Sequence, residues 1–192
     1  YHAPLLLAPG KFSWGQAETR PLENTEILVR SRYAAICGSD IHIFQGEFGE
    51  RIHYPHIGGH EFFGVVEAAG PLVSRFKPGD RISVDPVIPC GHCKACIQGH
   101  IPACRSLKLL GVDLPGGFGE LVIARENQCY AVPPAISDYH ACLIEVYSVG
   151  FQVIRRTQIN PFDALCILGC GKIGLVVLEA AVLAGASPIF IT

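Results

Sequence analysis

The chain has 192 residues, a formal net charge of −2, 49% hydrophobic and 17% charged residues. That balance excludes a disordered polar chain, and without clustered excess Lys and Arg it excludes an electrostatic grip on nucleic acid. No apolar run reaches the roughly 18–20 residues that span a bilayer, and the N-terminus lacks the basic region and apolar core of a secretory signal, so a cytoplasmic protein without membrane or nucleic-acid partners is expected.

Residues 1–135 are rich in Gly and Pro and carry short alternating or β-branched runs at 26–30, 64–68, 81–85 and 119–124. Turn residues separate these runs, as in Lys77-Pro-Gly-Asp80. The pattern predicts an all-β, barrel-like domain. Around Ser137 the texture changes. Ser137 or Asp138 is placed to cap a helix running to Arg156, which Ile159-Asn-Pro161 ends. An apolar strand at 164–168 follows, then a glycine turn. Next comes a helix with Ile173, Val176, Val177, Ala180, Ala181 and Ala184 on one face and Gly185 as its C-cap. Strand, glycine turn, helix and strand in this order open a doubly wound parallel sheet. The expected class is mixed α/β, with one domain over 1–140 and the beginning of a second over 141–192. There is no methionine, and 187–192 reads as a strand that stops. The chain is therefore expected to be a fragment.

Four of the nine cysteines, Cys90, Cys93, Cys96 and Cys104, have the spacing C-x2-C-x2-C-x7-C. In a cytosolic-looking chain of this size such a cluster points to metal rather than disulfides. Four thiolates surround Zn2+ tetrahedrally and leave no open position, which is the signature of a structural site. Iron–sulfur ligation competes: the first three spacings suit it, but the usual last spacing and following proline are absent. His92 lies inside the loop and is not expected to ligate. Two further segments carry Cys and His: Cys37-Gly-Ser-Asp-Ile-His42 and Gly58-Gly-His-Glu61. A catalytic zinc needs about three protein ligands and one vacancy, and Cys37 and His60 supply two. Taken alone, a Cys in a β-domain is more often core than ligand. His53, His56 and His100 lack ligand spacing and are expected at the surface or in loops; Cys129, Cys142 and Cys166 are expected in the core.

Cys37-Gly-Ser-Asp40, Gly59-His-Glu61-x2-Gly64 with Gly70 beyond, Gly79-Asp-Arg81, the cysteine lobe, Gly117-Phe-Gly-Glu120 and Gly169-Cys-Gly-Lys-Ile-Gly174 run in order along nearly the whole chain. In these motifs the chain resembles the zinc-containing medium-chain dehydrogenases, the superfamily of alcohol, sorbitol and threonine dehydrogenases. The resemblance implies a GroES-like catalytic domain followed by a Rossmann domain, and two Zn2+ per chain. It implies Cys37 and His60 as catalytic zinc ligands, with either Glu61 or Glu145 completing the shell. Val146 stands where polyol and threonine members have proline after that glutamate. Ser39 and His42 match the family's proton relay, and Asp40 the carboxylate that orients the ligating histidine. An exposed histidine, a turn-capping aspartate and surface carboxylates are the plain alternatives for His42, Asp40 and the two glutamates.

Gly169, Gly171, Lys172, Ile173 and Gly174 form G-x-G-x-x-G between an apolar strand and an amphipathic helix, the context a dinucleotide fingerprint requires. The residue that separates NAD from NADP follows the next strand, beyond Thr192. NAD is expected from the polyol resemblance, with NADP open. The expected activity is oxidation of a secondary alcohol of a polyol or sugar acid. A threonine 3-dehydrogenase-like enzyme is the runner-up, and a zinc-stabilised protein without turnover is the alternative of another class. The family suggests a homodimer or homotetramer for the intact protein.

Overall fold

The computed structural model describes residues 1–192, in two compact units, Tyr1–Cys142 and Leu143–Thr192. In the first unit the strands are β1 (His2–Ala8), β2 (Lys11–Gln16), β3 (Glu26–Ala35), β4 (Glu61–Ala69), β5 (Arg81–Val84), β6 (Val87–Ile88), β7 (Lys108–Leu109), β8 (Leu121–Arg125) and β9 (Cys129–Ala131). Its helices are α1 (Gly38–Gln45) and the single turns α2 (Lys94–Ile97) and α3 (Asp138–Ala141). The second unit holds α4 (Ile144–Thr157), β10 (Leu165–Ile167), α5 (Lys172–Leu183) and β11 (Ile189–Ile191).

The expected barrel takes the form of an open five-stranded sheet, order β8-β3-β4-β5-β9, antiparallel throughout. Ile27, Val29, Phe62, Val66, Ile82, Val84, Val122 and Ala124 alternate onto one face and, with Leu110 and Cys129, build the core. Register shifts at Leu28/Val29 and Ser31/Tyr33 bend β3 against β4. Gly64 sits opposite Ser31, where a β-carbon would stand 2.5 Å from Val29 Cγ1. The β1–β2 hairpin and the β6–β7 pair are separate two-stranded sheets. Neither was legible from periodicity, because Phe12 and Trp14 on the hairpin are exposed and give no buried/polar alternation.

In the second unit β10 and β11 pair in parallel, with α5 as the connection between them. Val177, Ala180 and Ala181 of α5 are buried with Ile154 of α4 and Ile167 of β10. Gly150 of α4 lies against Val176 so closely that a β-carbon would meet Val176 Cγ1 at 2.6 Å. Ser137 does cap a helix, its Oγ accepting from His140 N at 3.3 Å. However, the expected continuous helix is broken after Ala141 and restarts at Ile144. Helix α5 closes on Gly185 as expected: after the C-cap residue Ala184, Gly185 is left-handed at φ +82°, and Gly185 N and Ala186 N donate to Val182 O and Ala181 O at 3.0 and 3.1 Å. Cys166 is exposed, not core as expected: it alternates away from Leu165 and Ile167 in a three-residue strand.

Candidate metal centre and dinucleotide turn

Cys37 is the N-cap of α1, with extended backbone at φ −90° and ψ 160°. The third helical residue, Asp40, closes a capping box: its Oδ2 accepts the Cys37 N–H at 2.7 Å. Its Oδ1 accepts the Gly59 N–H at 3.2 Å. Gly59 is in the left-handed region at φ +90°, which turns the chain so that His60 and Glu61 enter β4 facing Cys37. The Phe118 ring lies beneath this turn; a β-carbon on Gly59 would meet its Cδ1 at 2.6 Å. Gly117 N and Phe118 N donate to Gly59 O and Gly58 O, at 2.7 and 3.1 Å.

One ligand atom each from Cys37, His60 and Glu61 lies within 4.8 Å of the others. His60 Nε2 is 4.0 Å from Glu61 Oε1. Its Nδ1 is 3.9 Å from Asp40 Oδ1, too far for a hydrogen bond, and is buried without a partner. Glu61 is 1% exposed. A buried imidazole nitrogen without a partner is costly, and the buried Glu61 carboxylate beside it is an anionic oxygen donor. A cation bound by Nε2 and the carboxylate fits both, because it fixes the Nδ1–H tautomer that points at Asp40. Glu145 is half-buried in the first turn of α4, in the other unit.

Ser39 and His42 fall one helical turn apart on α1. His42 is exposed and its Nδ1 is 2.8 Å from Glu47 Oε2. Glu47 went unnoticed in the sequence because it lies beyond the helix end, past the left-handed Gly46. Paired with this carboxylate, His42 presents Nε2 as the nitrogen that can accept a proton.

In the cysteine lobe the four Sγ atoms of Cys90, Cys93, Cys96 and Cys104 lie within 4.8 Å of one another. Cys93–Cys96 and Cys90–Cys96 are 3.5 and 3.9 Å. These separations are far beyond a disulfide bond and close to the ~3.8 Å edge of a tetrahedron with metal–sulfur distances of about 2.3 Å. Thiolates this close suit a single ion and leave no room between them for a multi-iron cluster. Backbone N–H groups of Cys96 and Arg105 hold the Cys93 thiol down at about 6, whereas desolvation, then the neighbouring Cys93, pushes Cys96 up to about 12. Cys90 N donates to Cys104 Sγ at 3.4 Å. His92 turns its Nδ1 to Cys90 O at 2.8 Å, away from the ligand set.

His53 and His100 are exposed, in line with their reading as surface residues, and Cys129 and Cys142 are buried. His56 departs from that reading: it is 7% exposed, its Nε2 3.1 Å from Gly111 O. Spacing could not reveal this, because the partner is 55 residues away.

In the second unit, Gly169 to Gly174 join β10 to α5. A β-carbon on Gly174 would collide with Gly169 O, while Gly169 (φ +112°) and Gly171 have nothing within 4 Å of theirs. The turn is therefore tight on its inner side and open outside. Gly171 is the N-cap of α5 and makes no side-chain cap, so the first N–H groups of the helix, Lys172 and Ile173 among them, suit an anion such as a pyrophosphate.

Residues 23–134 match the alcohol dehydrogenase GroES-like domain. The chain is 35% identical over 181 residues to a sorbitol dehydrogenase of Bacillus subtilis (strain 168), covering 91% of this chain and 51% of that one. It is 35% identical over 169 residues to an L-threonine 3-dehydrogenase of Anaeromyxobacter sp. (strain Fw109-5), covering 87% and 49%. A crystal structure from Sinorhizobium meliloti 1021, provisionally assigned as a zinc-binding dehydrogenase and bound to NADP, superposes with a TM-score of 0.93 at 33% identity, covering 99% of this chain and 55% of that one. The chain spans about half the length of the curated relatives it matches.

Proposed function

Because the chain belongs to the zinc-containing medium-chain dehydrogenase family, we propose that its protein oxidises a secondary alcohol of a polyol or sugar acid with NAD(P)+. The observation that carries this reading is the convergence of Cys37, His60 and Glu61 on one point. Zinc held there would act as a Lewis acid that lowers the pKa of an alcohol hydroxyl. Cys37, His60 and Glu61 are its proposed ligands; of the two carboxylates weighed for the third position, Glu61 and Glu145, Glu61 is the one grouped with Cys37 and His60. Asp40 positions the ligand loops. The Ser39 hydroxyl receives the substrate's proton and passes it toward His42, whose imidazole releases it to solvent. Gly169, Gly171, Lys172, Ile173 and Gly174 would hold the pyrophosphate of a nicotinamide dinucleotide, which when bound would supply the hydride acceptor. NAD is the proposed cofactor, from the likeness to polyol dehydrogenases; the NADP in the similar structure keeps the phosphorylated form in play. Cys90, Cys93, Cys96 and Cys104 hold a second, structural zinc.

The test is metal content and turnover of the full-length protein. Two zinc ions per chain are expected, with Cys37→Ala retaining one and losing NAD(P)-linked oxidation of polyols. Activity that survives Cys37→Ala sinks the assignment. A threonine substrate is the second reading, favoured by the similarity to L-threonine 3-dehydrogenase. A parallel assay with sorbitol, sugar acids and threonine separates the two.

A further inference from the structure

His56 is the buried histidine that the proposed mechanism does not use. Its backbone is pinned to β1: Leu6 N donates to His56 O at 2.8 Å, and His56 N to Leu6 O at 2.9 Å. The ring reaches across to Gly111, Nε2 to carbonyl O at 3.1 Å. A carbonyl only accepts, so Nε2 carries the proton. Burial pushes the His56 pKa down, against the opposing pull of the Gly111 carbonyl and then of Asp40 and Asp113. Gly111 in turn packs on the metal-ligand loop. It is in the left-handed region at φ +77°, and a β-carbon there would stand 2.6 Å from Gly59 C and 2.9 Å from His60 N. The turn that carries His60 is therefore held at two consecutive peptides. Asp40 takes the Gly59 N–H of the Gly58–Gly59 peptide, and the Gly111 backbone, tethered by the His56 ring, packs against the Gly59–His60 peptide that follows.

We infer that His56 is a positioning residue for the candidate catalytic metal, acting through Gly111 to hold the Gly59–His60 peptide where the His60 imidazole shares one ion with Cys37 and Glu61. This rests on the proposal that those three side chains bind metal. A histidine that merely filled space would be replaceable by any ring of its size; a tether needs the N–H.

Two substitutions separate these roles in the full-length protein. His56→Phe keeps the ring volume and removes the donor, whereas His56→Gln restores an N–H at similar reach. With Co2+ as the probe and a competing chelator, His56→Phe is expected to weaken the Cys37–His60–Glu61 site by about 10- to 100-fold. The absorption of cobalt in that site should shift, the four-cysteine site should be unchanged, and His56→Gln should recover most of the loss. A folded His56→Phe protein with wild-type affinity and spectrum overturns the inference, as does a Gln variant no better than Phe. If wild-type protein takes up metal only in the cysteine lobe, the failure belongs to the metal-site reading instead. Should His56→Phe not fold, 15N spectra of wild-type histidines decide. The His56 ring must be protonated on Nε2, and its signal must move when the catalytic site is emptied. A ring protonated on Nδ1, or a signal that stays put, overturns the tether.

Discussion

Asp40 accepts the backbone N–H of Cys37 at 2.7 Å, and through its second oxygen it reaches Gly59, next to His60, at 3.2 Å. One carboxylate thus sets the separation of two proposed ligands that are 23 residues apart in sequence. Asp40→Ala is expected to weaken metal binding at this site about 10- to 100-fold, read by chelator competition. Asp40→Asn should fall between, because it keeps a single oxygen and leaves one N–H facing an NH2 group. Equal affinity in all three proteins would show that the carboxylate sets nothing.

Gly111→Ala is expected to destabilise the first unit by about 3 kcal/mol or more, from left-handed backbone strain plus a collision with backbone that cannot swing aside. Gly10→Ala is the control. It has the same sign of φ, +71°, but nothing within 4 Å, so it should cost only about 1 kcal/mol. Denaturant midpoints measure both; similar losses would remove the argument from close packing.

Glu26 tests the acid side of the stability curve. Its oxygens accept from Arg20 Nη1 and Nη2 at 2.6 Å each and from Glu23 N at 2.8 Å. The Arg20 guanidinium holds its carboxyl below the usual 4.5. A depressed folded pKa contributes stability above the unfolded value, and that stability is lost as pH falls through the folded one. Glu26→Gln should therefore lose about 1–2 kcal/mol at pH 7, allowing for the exposure of Arg20, and the gap from wild type should close at acidic pH below about 4. A gap that widens on acidification would contradict the sign.

The cysteine lobe offers a chemical test after chelation. With its thiol held at about 6, Cys93 is mostly thiolate at pH 7, while Cys96, pushed to about 12, is not. Alkylation of the stripped protein at pH 7 should modify Cys93 first and Cys96 last, as read by peptide mass mapping, and restored zinc should protect all four. Prior labelling of Cys96 would show that the backbone N–H groups of Cys96 and Arg105 do not govern the order.

The sequence by itself determined what is local or patterned. The four-cysteine spacing needs only short loops to gather its thiols, so the lobe was legible without a fold. The strands around Ile27, Val66 and Ile82 showed in their alternation, and the glycine turn before α5 in its flanking apolar runs. Tertiary structure alone decided what depends on residues far apart in the chain. Cys37 and His60 were assigned by resemblance, and only the pairing of β3 with β4 brings Ala35 opposite Glu61 and so delivers the two side chains to one place. The burial of His56, its bond to Gly111, the Glu47 partner of His42 and the outward face of Cys166 carry no periodic signal. Each is set by which distant segment the chain folds against, and contacts of that kind are formed by packing rather than written in any local run of residues.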